Sequence, residues 1–425
     1  MASDKNKSVS IAGVVFKSPV LVSSSEATSS PELLKKIIDQ DIGGVATKTF
    51  AGISQSRVRL RPYQFPLNSM GRGFRESGSL YSVASAHVEA LEDSPGRIRE
   101  MARICRSASM VLVGSFYDDP EDISSWVKHA CAFQDAGADM VELNFSSPSA
   151  ARVFARRVEV SARITGEVKK RVSIPVGIKL SPTIEPLEEL VEIWGGEGLD
   201  FITAHNAPSG IVIDVEKEAP FGAPAIGGYV PGRAFLPYSL GRVVRIKKAS
   251  SIPVIGVGGI YDFRDAVQYI LCGCHLVGVG SALYFRGSKV LGQICRGLER
   301  WMEKKGYSSI DEFRGKALPL IEDVGSLKER EHYGFAVPPE CPYLPVISED
   351  KCNRCGLCER ACIYGAIMIY GGRGGLFVDR GRCWSCGFCV GICPRGAIEL
   401  RDKGERKRVI WNNQGTAEPF KPRVH

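Results

Sequence analysis

No stretch of this chain is both apolar and uninterrupted over the length needed to cross a bilayer. Residues 266–285 come nearest, with no Lys, Arg, Asp or Glu, but Gly273, His275, Gly278 and Gly280 break them up. A helix followed by a short buried strand accounts for that segment better, so no membrane span is expected. The opening residues, MASDKNKSVS, have no apolar core of the kind a secretory signal needs, which predicts a cytoplasmic protein. A strong excess of one charge is missing too. The net charge is +8 over 425 residues, and no nucleic-acid-binding motif accompanies it, so no nucleic acid partner is expected. Such a balance suits an anionic cofactor or an acidic redox partner, and equally a plain solvated surface. There is no GxGxxG dinucleotide fold either. GVGGI, at 256–260, lacks the strand–helix unit with an acidic residue about twenty positions on. A nicotinamide, if used, has to be held by another subunit.

Against this ordinary background (44% hydrophobic, 24% charged), cysteine is distinctive. Six of the fourteen, Cys105, Cys131, Cys272, Cys274, Cys295 and Cys341, are scattered, most of them in apolar settings, and read as reduced core residues. The other eight form two runs: Cys352, Cys355, Cys358, Cys362 and Cys383, Cys386, Cys389, Cys393, the second followed by Pro394. Each run has the x2, x2, x3 spacing of the bacterial two-cluster ferredoxin. Thiolates are soft ligands suited to iron. In that arrangement the fourth cysteine of each run crosses over. Cys352, Cys355, Cys358 and Cys393 then hold one [4Fe–4S] cluster, and Cys383, Cys386, Cys389 and Cys362 the other. The first run ends Cys362-Ile363, without the usual proline. Zinc or disulfides are the alternatives, but eight cysteines in two four-residue runs exceed what a zinc site needs. Ala366-Ile367 and Ala397-Ile398 recur at the same offset after each run, an internal duplication.

The length allows two or three domains. From Val9 to about Gly315, short apolar runs alternate with amphipathic stretches of helical length. The runs are Val20–Ser23, Gly44–Thr49, Met110–Phe116, Met140–Phe145, Pro175–Leu180, Phe201–Asn206, Pro253–Gly259 and Leu276–Ser281. Near-continuous apolar strands alternating with helices mean a parallel sheet, and eight such units predict an α/β (β/α)8 TIM barrel. Val9–Lys17 is expected to form a hairpin across its floor. The predicted divisions are a barrel over 1–315, a linker over 316–345, a small α+β two-cluster ferredoxin domain over 346–402 and a charged tail over 403–425.

The strands run into Ser23-Ser24-Ser25, Lys48, Ser115, Asn144, Lys179, Asn206, Gly258-Gly259 and Gly280-Ser281, and the active sites of TIM barrels sit at those ends. Two lysines, amides and glycine turns suit a ligand with a phosphate and several carbonyl oxygens. Gly258-Gly259 allows close backbone approach, and the helix from Asp262 is expected to offer its N–H groups to the phosphate. Any one of these residues alone could be a loop cap; six together are better explained by a site. Long insertions at Ala51–Val83, carrying Arg57, Arg59, Arg61 and Asn68, and at Ala207–Pro237 read as walls and lid, as does the short Ser146–Ala151.

Several stretches together resemble one family: GGVATKTF (43–50), PLNSMG (66–71), ELNFSSPS (142–149), IPVGIKLSP (174–182), ITAHN (202–206), IGVGGI (255–260) and VGVGSA (277–282). They are similar to the flavin-dependent dihydroorotate and dihydropyrimidine dehydrogenases. With the trailing ferredoxin, the architecture most resembles the flavin–iron–sulfur subunit of NAD-dependent dihydropyrimidine dehydrogenase. The resemblance implies FMN at the barrel mouth, with Ser24, Lys48, Lys179, Gly258, Gly259, Gly280 and Ser281 binding the cofactor. It gives Asn68, Asn144 and Asn206 to a pyrimidine ring, whose alternating N–H and C=O groups carboxamides read well. Ser147 stands where dihydroorotate dehydrogenases carry Cys or Ser as the base. The lid cysteine of dihydropyrimidine dehydrogenase has no counterpart in 148–172, Ser149 replaces an amide or imidazole, and Ala207 replaces a hydroxyl residue.

The implied activity interconverts uracil or thymine and the 5,6-dihydro form. Electrons pass between FMN and the two clusters to a separate FAD/NAD(P)H subunit or ferredoxin, in a homo- or hetero-oligomer. The alternatives are a dihydroorotate dehydrogenase of pyrimidine synthesis, a reductase of another conjugated amide or ring, and a non-catalytic electron carrier. Only dihydroorotate brings a carboxylate for Lys48 or a neighbouring Arg.

Overall fold

The structure is a computed structural model that describes residues 7–53, 63–67, 78–83, 87, 89–146, 153–221, 228–323, 338, 340–369, 376–405 and 407–413. Contacts divide the chain into two units, Met1–Ile321 and Glu322–His425.

The first unit is built on eight strands, every residue of which is buried: β1 (Val20–Val22), β2 (Gly44–Ala46), β3 (Val111–Tyr117), β4 (Met140–Asn144), β5 (Val176–Lys179), β6 (Phe201–Thr203), β7 (Val254–Val257) and β8 (Leu276–Val279). Each pairs in parallel with its sequence neighbours, and β8 returns to β1, so the sheet closes into the expected barrel. Burial on both faces is why these strands read as continuous Val- and Ile-rich runs.

The helices between them are α1 (Pro31–Leu34), α2 (Ser94–Ser107), α3 (Ile123–Asp135), α4 (Val158–Lys169), α5 (Leu187–Gly196), α6 (Leu236–Ala249), α7 (Phe263–Leu271) and α8 (Lys289–Lys305). Helix α8 buries Val290, Leu291, Ile294, Cys295, Leu298 and Met302, the three-to-four spacing of one helix face, and ends at left-handed Gly306. No described helix is long and apolar enough to cross a membrane. Val9–Ile11 and Val14–Phe16 form the floor hairpin, with the Phe16 ring packed against Gly44 at the start of β2.

The two long insertions meet in one four-stranded sheet. Gln64–Pro66 pairs with Leu80–Ser82 from the first, and Leu80–Ser82 pairs with Gly228–Tyr229 from the second. This sheet forms a wall of the barrel mouth.

In the second unit, Tyr343–Ile347, Ile398–Asp402 and Val409–Asn412 form an antiparallel sheet, and Ile367–Ile369 pairs with Leu376–Val378. Two corrections follow. A strand begins at Tyr343, inside the stretch read as linker, and another lies in the stretch read as a charged tail. The second forms because an apolar run, Val409 to Trp411, follows the charges. The Trp411 ring packs on Gly387 and Gly391, where a Cβ would come within 3.0 and 3.1 Å of it. The duplication seen in the sequence extends to the backbone. Arg354 and Ser385, Gly356 and Gly387, and Gly365 and Gly396 all take positive φ at matching places in the two runs. Short helices, Leu357–Ala361 and Phe388–Ile392, follow each Gly.

Candidate active site

The polar residues predicted at the strand ends come together. One cavity is lined by Ser24, Lys48, Asn144, Lys179, Asn206, Gly258, Gly259, Gly280 and Ser281. Gln64, Leu80 and Ser82 of the first insertion and Pro208, Pro231 and Phe235 of the second complete the described wall. Asn68 and Ser147, like Arg57, Arg59, Arg61 and Ser149, lie outside the described residues.

Beneath the cavity runs a buried hydrogen-bond chain whose direction is fixed at one end. Glu142, on β4, is 2% exposed and accepts from Ser115 Oγ at 2.8 Å and Thr203 Oγ1 at 2.5 Å. An ionised carboxylate only accepts. The Ser115 proton is thereby used, so Thr49 Oγ1, 3.0 Å away, donates to Ser115 Oγ. Thr49 Oγ1 then accepts from Asn144 Nδ2 at 2.9 Å. That turns Asn144 Oδ1 toward Ser146, whose N–H donates at 3.0 Å and whose hydroxyl donates as well. Ser146 Oγ in turn accepts from Asn206 Nδ2 at 2.9 Å, and Asn206 Oδ1 accepts from Ala207 N at 2.8 Å. Asn144 is left with one N–H. Asn206 is left with one N–H and one lone pair.

The phosphate end is a glycine cradle. Gly258 and Gly259 have φ of +108° and +71°. A Cβ at Gly258 would strike Ser239 Oγ, and one at Gly259 would lie 2.8 Å from the Leu236 Cβ and N. Helix α7 does not contribute as expected. Its first-turn donors Arg264 N and Asp265 N are taken by the Asp262 carboxylate, and Tyr261 N and Asp262 N by Asp265 Oδ2. A capping aspartate fills the place a phosphate would need, so the remaining donors lie in the turns themselves. Ser23 Oγ and Ser25 Oγ, also in the lining, are buried with no hydrogen-bond partner among the described residues. Orphaned hydroxyls, ammonium groups and a side-chain-free backbone turn fit the phosphate and the carbonyl-rich ring of FMN.

Charge is placed in pairs. Burial pushes the Lys179 ammonium below its usual pKa, and the charge of Glu142 opposes that shift. Glu142 lies beside Gly177, two residues before Lys179 on β5. Lys48 Nζ is 3.2 Å from Glu26 Oε1. His205 also faces the cavity, but burial pushes its pKa down to about 4. Its neutral ring is used within the protein: Nδ1 donates to the Asn206 carbonyl at 2.5 Å, and Nε2 accepts from Ser239 Oγ at 2.7 Å.

The cysteines sort into two voids. One is lined by Cys352, Cys355, Cys358 and Cys393, the other by Cys362, Cys383, Cys386 and Cys389. These are the two crossed sets that the spacing predicted, and each fits the four thiolates of a [4Fe–4S] cluster. Ala366 N donates to Cys362 Sγ and Ala397 N to Cys393 Sγ, both at 3.3 Å, so each crossing cysteine is oriented by the alanine of the repeated Ala-Ile pair. Among the described residues, no three His, Cys, Asp or Glu converge closely enough for a single metal ion.

Sequence reading missed Glu142, Thr49, Ser146 and Glu26. A lone carboxylate inside the apolar run Met-Val-Glu-Leu was the available signal for Glu142. Glu26 carried none beyond following the serine run.

A family model described as dihydroorotate dehydrogenase matches residues 7–302, and one described as a 4Fe-4S dicluster domain matches 351–398. Among curated proteins, the catalytic subunit of dihydroorotate dehydrogenase B (NAD(+)) from Methanothermobacter thermautotrophicus is 29% identical over 316 residues, 72% of this chain and 97% of that one. The subunits of the same name from Pyrococcus abyssi and Petrotoga mobilis are 29% and 28% identical over 73% and 72% of this chain, and 99% and 98% of their own length. These relatives are matched almost end to end, while over a quarter of this chain extends beyond the match.

Proposed function

The chain belongs to the dihydroorotate dehydrogenase family, and from that premise we propose that its barrel interconverts a six-membered cyclic diamide of the dihydroorotate type with its unsaturated form. The protein is a flavoprotein oxidoreductase of CH–CH bonds, with FMN and two [4Fe–4S] clusters as cofactors. When bound, FMN supplies hydride transfer and the clusters supply single-electron transfer. The observation that carries the reading is the directed amide pair. Asn144 offers an N–H to a ring carbonyl. Asn206 offers an N–H and an acceptor to an adjoining ring edge, each orientation imposed from Glu142 through Thr49 and Ser146. Lys48 and Lys179 supply positive charge beside the flavin, Gly258, Gly259, Gly280 and Ser281 hold its phosphate, and Ser24 closes the same wall. Ser147, next to Ser146, is the proposed acid/base that moves the companion proton on the ring. With no dinucleotide fold apparent in the sequence, NAD(+), the acceptor in the relatives' names, would be served by a separate subunit.

The family and the relatives favour dihydroorotate over the uracil or thymine pair that the architecture first suggested. Anaerobic reduction of the bound flavin, followed by its bleaching, tests both. Dihydroorotate or dihydrouracil should bleach it, and Asn206→Ala should slow bleaching at least 100-fold with FMN retained. Bleaching by neither compound would defeat the proposal.

A further inference from the structure

We propose that the two clusters differ in reduction potential, with the one held by Cys352, Cys355, Cys358 and Cys393 the higher, so that a single electron entering the second unit settles there. This rests on the paired cysteine sets and not on the ring at the barrel mouth. The internal duplication supplies the comparison. Counted from the cysteines of each run, Asn353 corresponds to Trp384, Leu357 to Phe388 and Tyr364 to Arg395. Because the fourth cysteines cross, Asn353 and Arg395 line the first void, and Trp384 and Tyr364 line the second. The backbone is the same in both places, down to the positive φ of Gly356 and Gly387 and of Gly365 and Gly396. The two surroundings therefore differ in side-chain chemistry at matched positions.

One added electron makes a cluster more negative by one charge. Positive charge, polar groups and water beside it favour the reduced form, and an apolar wall disfavours it. Arg395 is exposed and makes no hydrogen bond or ion pair among the described residues. The turn that carries it is fixed. Asn413 Nδ2 donates to the Cys393 carbonyl at 2.6 Å, and Ala397 N to Cys393 Sγ at 3.3 Å. The matching turn after Cys362 carries the Tyr364 ring, which packs with the Trp384 ring at 5.8 Å between centroids. These rings put no formal charge beside the second void and hold water off it. The cysteines follow the same order. Cys383 and Cys389 are each 9% exposed, whereas Cys358 is the one buried member of the first set. Arg395 is solvated, so its effect weakens as salt is added.

The test is an anaerobic redox titration of the reconstituted full-length protein at low ionic strength, read by electron paramagnetic resonance of the reduced clusters. Two one-electron steps should appear, separated by at least tenfold in equilibrium constant, about 59 mV. Cys362→Ala with Cys383→Ala keeps the first set and should retain the upper step. Cys352→Ala with Cys393→Ala keeps the second set and should retain the lower. Arg395→Leu should move the upper step down at least threefold in equilibrium constant and leave the lower within about twofold. Arg395→Lys should hold the upper step near its original place, and added salt should shrink the effect of Arg395→Leu. Trp384→Asn should raise the lower step alone. The Arg395 and Trp384 variants keep all eight ligands, so they decide the matter if the cysteine variants lose both clusters. Coincident steps, or the reverse order in the single-cluster variants, would overturn the inference. So would an Arg395→Leu that moves the lower step, neither step or both alike, or a Trp384→Asn that leaves the lower step in place.

Discussion

Replacing Glu142 by Gln should damage the barrel more than loss of one surface charge would, and the hydrogen bonds say how. Glu142 is 2% exposed and receives two hydroxyl donors, from Ser115 and Thr203. Glutamine has one acceptor oxygen and one NH2 group, so one hydroxyl must turn round and both bonds become neutral. Bonds to a charged group are worth about 1.5–3 kcal/mol and neutral ones about 1 kcal/mol, so this change alone amounts to about 1–4 kcal/mol. Lys179 also loses the charge that opposes the effect of its burial, which adds to the loss. We take about 3 kcal/mol as the working figure for Glu142→Gln. At about 2–4 °C per kcal/mol for a large domain, the melting midpoint of the barrel should fall by about 6–12 °C. Thermal melts by far-UV circular dichroism, on the full-length chain with and without FMN, measure it. Glu142→Gln combined with Lys179→Met removes both charges, so the double variant should melt above the sum of the two single losses by at least about 1 kcal/mol. Strict additivity would show that Glu142 and Lys179 do not act on each other, and the reasoning would fail.

Other perturbations read other parts of the molecule. Anaerobically reconstituted protein should hold about eight irons per chain. Cys352→Ala with Cys393→Ala should keep about four, and Cys383→Ala with Cys393→Ala should keep almost none; iron analysis giving the reverse would mean that the sets do not cross. Gly258→Ala and Gly259→Ala should each weaken FMN at least tenfold, because both positions have positive φ and no room for a Cβ; retained flavin fluorescence quenching at wild-type FMN concentrations would contradict this. Arg245, through its hydrogen bonds, holds the Glu185 carboxyl down at about 2, against an ordinary 4.5. A depressed acid stabilises the fold above its unfolded pKa and loses that contribution as pH falls toward its folded one. Glu185→Gln should therefore lower the barrel's melting midpoint at pH 6, with the gap to wild type closing between about pH 4.5 and pH 2.

The parts of this molecule legible in its sequence are those whose signal is local. Eight apolar runs announced eight strands because a strand buried on both faces has to be apolar throughout. The polar residue ending each run announced the mouth for the same reason: Asn144 and Lys179 can close apolar strands only where the barrel opens. The cysteine sets were legible because the ligand spacing of a cluster is written in one short segment. What stayed hidden depends on meetings between distant residues. The wall sheet joins Leu80–Ser82 to Gly228–Tyr229 through strands too short to show any period. The helix at Asp262 was misjudged although its signal was present, since the aspartate that marks a helix start also occupies the N–H groups a phosphate would use. Glu26 and Glu142 show the general case. A carboxylate beside a serine run, or inside an apolar strand, looks like an isolated charge until the fold supplies Lys48 for one and Ser115, Thr203 and Lys179 for the other. Glu142 then has a determinate consequence, the direction in which the Asn144 and Asn206 amides are turned. The lysines and asparagines of the motifs mark the mouth, and Glu142, which no motif announced, decides which way two of its amides face.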